Sequence, residues 1–168
     1  MNDWKLEYLA DAATAFSTQR SAAERAIAQL DDAALFRTAG TGDNSVAVLM
    51  KHIGGNLRSR WAEPFTSDGE KPDRNRDGEF EAAGDDGAAI RRTWDSGWTT
   101  LEETLASLTA DDLDRPLMIG VAPLSLTAAL HRSLAHTAQH VGQIILLAKQ
   151  WQGADWRTLS IPRRSEKP

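Results

Sequence analysis

The sequence predicts an all-α protein, a four-helix bundle with a long loop between the second and third helices. Four segments repeat apolar residues at the spacing of an α-helix, and no segment shows the alternation of a half-buried strand. The length of 168 residues fits one domain over residues 1–168, with enough chain to bury a core. Amphipathic helices without strands bury their apolar faces against one another, which gives a bundle.

The first two helices differ in how clearly the sequence marks them. The first, from about Trp4 to Leu30, is inferred from its length and alanine content because its apolar period is loose. The second runs from about Ser45 to Trp61. Its apolar stripe consists of Val46, Met50, Ile53, Leu57 and Trp61, and its candidate N-caps are Asp43, Asn44 and Ser45. Gly54 and Gly55 lower its helix propensity by roughly 1 kcal/mol each, so we expect a close neighbouring helix or room for a ligand there.

The last two helices carry the clearest stripes. The third runs from about Asp86 to Leu108, and the fourth from about Ser125 to Gln150 with Gly153 as its terminator. The stripe of the third is Ile90, Trp94, Trp98, Leu101, Leu105 and Leu108. The core face of the fourth is Leu126, Leu130, Leu134, Thr137, Val141, Ile144 and Ala148.

Three connections join these helices, and one of them is unusually long. Residues 31–43 join the first pair, and residues 113–124 predict irregular or short extended structure because they contain Pro116, Gly120 and Pro123. The long loop, residues 64–87, is rich in glycine, proline and charge. Loops of this length are usually either functional or disordered.

Composition excludes several classes of function. The net charge of −5 gives no overall field that would attract nucleic acid or an anionic membrane, and a local basic patch is the alternative. No apolar run approaches the roughly 18 residues of a membrane helix, and the acidic start with Asp3 and Glu7 does not resemble a signal peptide, so we expect a cytoplasmic protein. The absence of cysteine excludes disulfides and thiolate metal sites, so a metal would need imidazole, carboxylate or amide ligands.

Three of the four histidines have matching positions on two helices. His136 and His140 are four residues apart, which places both rings within about 40° on one helical face. His52 lies at the same edge of the second helix's stripe, so a seam between the two helices would bring the three rings together. His131 falls on the opposite edge. The alternative for each histidine alone is an ordinary packed, hydrogen-bonded side chain.

The same residues resemble a known superfamily. Residues 136–143, HTAQHVGQ, resemble the HxxxHxGQ signature of the DinB-like (DinB/YfiT) superfamily, and residues 51–56, KHIGGN, resemble its second-helix histidine segment. The resemblance implies a four-helix bundle of the DinB/YfiT-like type, commonly a homodimer. It also implies that His52, His136 and His140 hold one divalent metal ion, zinc or nickel, in an open groove.

A narrower likeness covers more of the chain. The blocks RSRW (58–61), DGEKP (68–72), RNRD (74–77) and LSIP (159–162) resemble one uncharacterised subfamily of DinB-like proteins. Some members of the superfamily transfer low-molecular-weight thiols, whereas many have no established activity. The likeness therefore implies a small-molecule substrate without fixing the reaction.

Three neutral imidazoles would leave the ion its full charge and at least one open position, as in catalytic sites. Such an ion can lower the pKa of water towards ~7 or bind a substrate thiolate. The predicted function is a metal-dependent enzyme, a thiol S-transferase or a hydrolase. The alternative is a non-catalytic metal- or ligand-binding module, since no general base is evident near the histidine pair.

Four further residues are candidates for a supporting role. Asn56 and Gln143 lie about one helical turn from His52 and His140 and can orient these rings or the substrate. The alternative is that they are polar residues whose hydrogen bonds are satisfied at the seam of the bundle. Arg74 and Arg76 of the long loop can bind a carboxylate or phosphate, and the alternative is a solvated or structural loop.

Overall fold

The structure is a computed structural model that describes residues 4–120 and 122–161, so Pro162 of the LSIP block lies outside it. Its helices are α1 (Trp4–Ile27), α2 (Asp32–Phe36), α3 (Val46–Trp61), α4 (Gly87–Ser107) and α5 (Leu126–Gln152). The four predicted helices are confirmed as α1, α3, α4 and α5. Helix α3 packs against α4 and α5, and α1 packs against α5 and α4, so these four enclose one core. None of the helices within the described residues has the length and apolar character needed to cross a membrane.

Helix ends lie where short polar side chains can replace missing backbone partners. The side chains of Ser45, Asp86 and Ser125 each accept a hydrogen bond from the backbone N–H three residues later. Caps of this kind stabilise a helix by about 1 kcal/mol each. Helix α5 ends at Gly153, whose φ of 56° favours glycine.

The predicted stripes form the core. The largest side chains that are almost fully buried are Phe16, Trp61, Trp98, Leu35, Leu49, Met50, Ile53, Leu57, Ile90, Leu101, Leu113 and Leu126. Leu105, Leu108 and Leu134 are only partly buried at the edge of this cluster. The hydrophobic stripes on α3, α4 and α5 therefore fix which face of each helix turns inward.

Two short elements lie in the predicted connections. Of the two alternatives for residues 113–124, the short extended one is confirmed, because they form an antiparallel hairpin of β1 (Pro116–Ile119) and β2 (Ala122–Ser125). Helix α2 occupies part of the first connection. A five-residue helix and four-residue strands are too short to show a hydrophobic period, so the pattern did not indicate α2 or the pairing of the strands.

Gly54 marks the close approach of α3 and α4. A Cβ at Gly54 would lie 2.7 Å from the carbonyl carbon of Thr93, and one at Gly97 would lie 2.6 Å from the Cα of Gly54. The close-helix alternative for Gly54 is therefore the one that the structure supports. Any larger residue at this crossing would force the helices apart.

The long loop is ordered and is fastened to the hairpin and to α3. The Asp68 carboxylate accepts a hydrogen bond from the backbone N–H of Gly120, and Gly69 N–H donates to the carbonyl of Met118. Ser59 on α3 donates to the carbonyl of Gly69 over 2.7 Å. These bonds direct the rest of the loop, including a 3-10 turn at Asp77–Phe80, across one face of α3.

Candidate metal centre

The histidine triad (His52, His136 and His140) comes together between α3 and α5. The Nε2 atom of His136 lies 3.1 Å from that of His52 and 3.2 Å from that of His140. One ligand atom from each residue lies within 4.8 Å of the others. His52 is buried, whereas His136 and His140 are half-buried. The predicted seam therefore exists, and three imidazole nitrogens converge on its edge.

The spacing of these nitrogens suits a single metal ion. Zinc binds imidazole nitrogen at about 2.0–2.1 Å, so two such nitrogens lie about 3.3 Å apart in a tetrahedral site and about 2.9 Å apart at right angles. The two observed distances, 3.1 and 3.2 Å, lie between these values. His136 therefore lies at the spacing of a shared ion from each of the other two histidines, and the ligand atoms of all three lie within 4.8 Å of one another.

Hydrogen bonds outside the triad orient two of its rings. His52 Nδ1 donates to the Glu79 carboxylate over 2.9 Å, and His140 Nδ1 donates to the amide oxygen of Gln143 over 2.7 Å. In a neutral imidazole that donates through Nδ1, the lone pair is on Nε2. Both lone pairs therefore face His136, and a cation among the three would satisfy all of them.

Glu79 is the part of the site that the sequence did not reveal. Arg74 binds it in a bidentate manner, with Nε to Oε1 and Nη2 to Oε2 both at 2.7 Å. Burial alone would raise the pKa of the Glu79 carboxyl, but hydrogen bonds from Arg74 and His52 outweigh burial and lower it. Glu79 is therefore a carboxylate at neutral pH and fixes the tautomer of His52, as carboxylates commonly do for metal-binding histidines.

Gly55 makes room for this carboxylate. A Cβ at Gly55 would lie 2.8 Å from the Cδ of Glu79 and even closer to one of its oxygens. Of the two explanations for the glycine pair, Gly54 serves the helix crossing and Gly55 serves the site. The cost of Gly55 in helix propensity was the signal in the sequence for a group packed against α3.

Burial favours the neutral form of the two histidines on α5, His136 and His140. It lowers the pKa of His136 to about 4, with the neighbouring His140 and His52 adding to the effect. Burial also lowers the pKa of His140, against the opposing hydrogen bond from Gln143. Metal ions bind imidazole in its neutral form, so these residues are in the ligating state at neutral pH.

The remaining predicted residues have different positions. Asn56 is buried and, with His52 and His136, lines a cavity between α3, the hairpin and α5. Arg74 is committed to Glu79, whereas the exposed Arg76 lies over the Phe80 ring, 5.7 Å from its centroid. His131 packs edge-on against Tyr8 and is not part of the triad.

Two cavities flank α3 at this level. One of about 370 Å³, which we call the triad cavity, is lined by His52 and His136 together with residues of the long loop, the hairpin and α5. A larger one of about 690 Å³ opens behind Glu79 and contains none of the triad. Only the smaller cavity therefore joins the candidate metal centre to a space for a ligand.

Fold and site together define a mostly helical protein whose histidines can hold a metal ion. The chain belongs to the family described as "protein of unknown function (DUF1572)", whose model matches residues 3–165. No curated protein gives a significant match. No solved structure gives a significant match either.

Proposed function

We propose that this chain is a DinB-like, divalent-metal-binding protein that acts as a metal-dependent enzyme, a thiol S-transferase or a hydrolase, on a small molecule. The observation that carries the proposal is the convergence of three Nε2 atoms, two of them fixed as acceptors by bonds to Glu79 and Gln143. The superfamily resemblance supports it, and it also leads us to propose a four-helix bundle of the DinB/YfiT type that forms a homodimer.

The roles of the side chains follow from their contacts. His52, His136 and His140 would hold the ion. Such an ion, zinc or nickel, supplies Lewis-acid activation of a bound water or thiol. Glu79 and Gln143 keep two of the rings in the ligating orientation, and Arg74 keeps Glu79 ionised. Asn56 lines the triad cavity and is placed to orient a substrate there.

Metal analysis tests the binding part of the proposal. Protein purified without an affinity tag should contain close to one zinc or nickel ion per chain. His52→Ala, and the double change His136→Ala with His140→Ala, should remove it. His131→Ala is the matched control and should retain the metal, since this ring packs against Tyr8. Loss of metal on changing His131 but not His52 would overturn the assignment.

The transferase part needs its own test, because the protein contains no cysteine of its own. In the cobalt-substituted protein, a thiol that binds through sulfur adds an intense near-ultraviolet band, and that band can come only from the added thiol. Titration with several low-molecular-weight thiols should produce it. An unchanged spectrum would remove the transferase, and a panel of ester, amide and phosphate substrates would then test the hydrolase.

One observation favours a non-catalytic metal- or ligand-binding module as the second candidate. Among the described residues that line the triad cavity, the carboxylate is Glu70, and it is paired with Arg60 and Arg74. Glu79 is likewise engaged on both oxygens. Neither carboxylate is free to act as a general base, so inactivity in both panels above would favour this module.

A further inference from the structure

The triad cavity has the size and the mixed walls of a small-ligand site. Its volume of about 370 Å³ lies in the range of pockets for small organic molecules. Trp61, Leu117 and Ile119 form apolar walls. His52 and His136 also line it, so a ligand here would lie beside the candidate metal centre.

The charge of this cavity is opposite to that of the protein. Four arginines and one carboxylate, that of Glu70, line it. The charge of Arg74 is neutralised by its partner Glu79 outside the lining. The guanidinium groups of Arg60, Arg76 and Arg132 remain. The protein as a whole carries a net charge of −5. A local excess of positive charge in an acidic protein favours anions at that place only.

Arg60 is the most informative of these groups. Its side chain is 12% exposed, and its Nη2 atom donates to the Glu70 carboxylate over 2.5 Å. Its Nη1 atom is buried and has no hydrogen-bond partner among the described residues. A buried charged donor without an acceptor is costly, so a ligand oxygen that meets this atom after a rotation of the guanidinium would be stabilising.

Arg132 and Arg76 add charge without being committed elsewhere. Arg132 is exposed and has no hydrogen bond or ion pair with any residue in the described ranges. It lies near enough to Arg60 for its charge to act on that guanidinium. The guanidinium of Arg76 lies over the face of the Phe80 ring and has no ion pair among the described residues. Both can therefore turn towards an anion held by Arg60.

The larger cavity is a weaker candidate because its lysines are already bound. Lys51 pairs with Asp85 over 2.7 Å. Lys71 donates to the carbonyl oxygens of Ala62 and Asp68 at 2.8 and 2.9 Å. These ammonium groups serve the structure of the long loop and of its contact with α3.

We propose that the triad cavity binds the carboxylate or phosphate group of a small organic anion, with Arg60 as the main anchor and Arg132 and Arg76 as supporting cations. This rests on the proposed function in one respect, that the reactive end of the ligand would lie beside His52 and His136. The anion subsite itself is built from residues that do not hold the metal. It can therefore be tested on the metal-free chain.

The test is calorimetric titration of the full-length, chelator-treated protein with two probes, inorganic phosphate and succinate. Chloride at the same ionic strength is the reference, because charge screening alone weakens all such contacts. Arginine Nε–H resonances, followed by NMR in parallel, report which guanidinium the anion reaches. The wild-type chain should bind at least one probe above the chloride reference. The preferred probe then identifies the group as phosphate or carboxylate.

Three variants locate the subsite. Arg60→Gln should weaken binding about 10- to 100-fold, as expected for a buried charged donor. Arg132→Gln, at an exposed position, should weaken it about 2- to 5-fold, and it decides the matter if Arg60→Gln does not fold. Arg58→Gln is the matched control, since this residue lies on the same helix and pairs with Asp73 outside the triad cavity.

The outcomes separate this inference from the proposed function. No binding above chloride, or equal losses in Arg58→Gln and the other variants, would overturn the anion subsite. Wild-type protein that binds the anion but retains no metal would overturn the metal centre alone. Metal content measured in the Arg60 and Arg132 variants should stay at one ion per chain, because neither residue contacts the triad through a hydrogen bond.

Discussion

Replacing Glu79 with glutamine would remove one negative charge from the most buried ion pair beside the triad. The side chains of Glu79 and Arg74 are 8% and 6% exposed, and two bonds of 2.7 Å join them. Breaking such a pair from one side typically costs about 3–5 kcal/mol, because the other charge stays buried. Glu70, 3.4 Å from Arg74, offers partial compensation, so we expect about 3 kcal/mol, at the lower end of this range.

The same change should weaken metal binding by a separate route. Glutamine can still accept a hydrogen bond from His52 Nδ1, but it no longer places a negative charge behind that ligand. Losing a carboxylate partner of this kind typically costs 10–100-fold in metal affinity, or about 1.4–2.7 kcal/mol. Urea denaturation of the metal-free protein measures the first effect, and competition with a chromophoric chelator measures the second.

Glu81→Gln is the matched control for both measurements. Glu81 is an exposed carboxylate two residues further along the same loop, and it contacts Lys51 only through its backbone oxygen. We expect this variant to retain wild-type stability and metal affinity. Wild-type metal affinity in the Glu79→Gln protein would refute the argument that the carboxylate orients His52 for the ion.

Three other expectations follow from packing and titration. Gly97→Ala should lower the free energy of unfolding by about 1–3 kcal/mol, because the clash at the crossing exceeds the roughly 1 kcal/mol of helix propensity gained. Gly142→Ala is the control and should raise it, since a Cβ there would meet nothing within 4 Å. Equal stabilisation by the two substitutions would contradict this. Gly55→Ala should displace Glu79 and weaken metal binding in the chelator assay, with affinity unchanged as the opposing result. The pKa of His136 is lowered to about 4, so between pH 6.5 and 4 only the unfolded chain gains a proton on this side chain. The metal-free fold should therefore lose stability as the pH falls through this range. Urea titrations at several pH values should show a smaller loss for His136→Ala.

Sequence was sufficient for the parts of the fold that repeat. The stripes of α3, α4 and α5 and the caps at Ser45, Asp86 and Ser125 have local causes, so their helices could be placed within about one turn. Helix α2 was not recognisable because five residues carry no measurable period, and for the hairpin only a short extended alternative could be given, without its pairing.

The site divides along the same line. His136 and His140 could be paired from their spacing alone, and His52 could be matched to them because its angular position on a regular helix is calculable. Glu79 could not be placed beside them, since the path of the long loop depends on hydrogen bonds such as that between Asp68 and Gly120, which join residues far apart in sequence. Arg74 was recognised as a possible anion ligand, but the structure shows that its partner is this internal carboxylate.

Helix α3 couples the fold to the site through three positions in one turn. Each residue rotates a helix by about 100°, so His52, Gly54 and Gly55 point in different directions. Towards α5, His52 meets His136; towards α4, Gly54 allows the close crossing; and towards the long loop, Gly55 accommodates Glu79. A shift of α3 by a single residue would break all three contacts together. The two glycines therefore persist within a helix despite their cost, because the crossing and the carboxylate both require a position without a side chain.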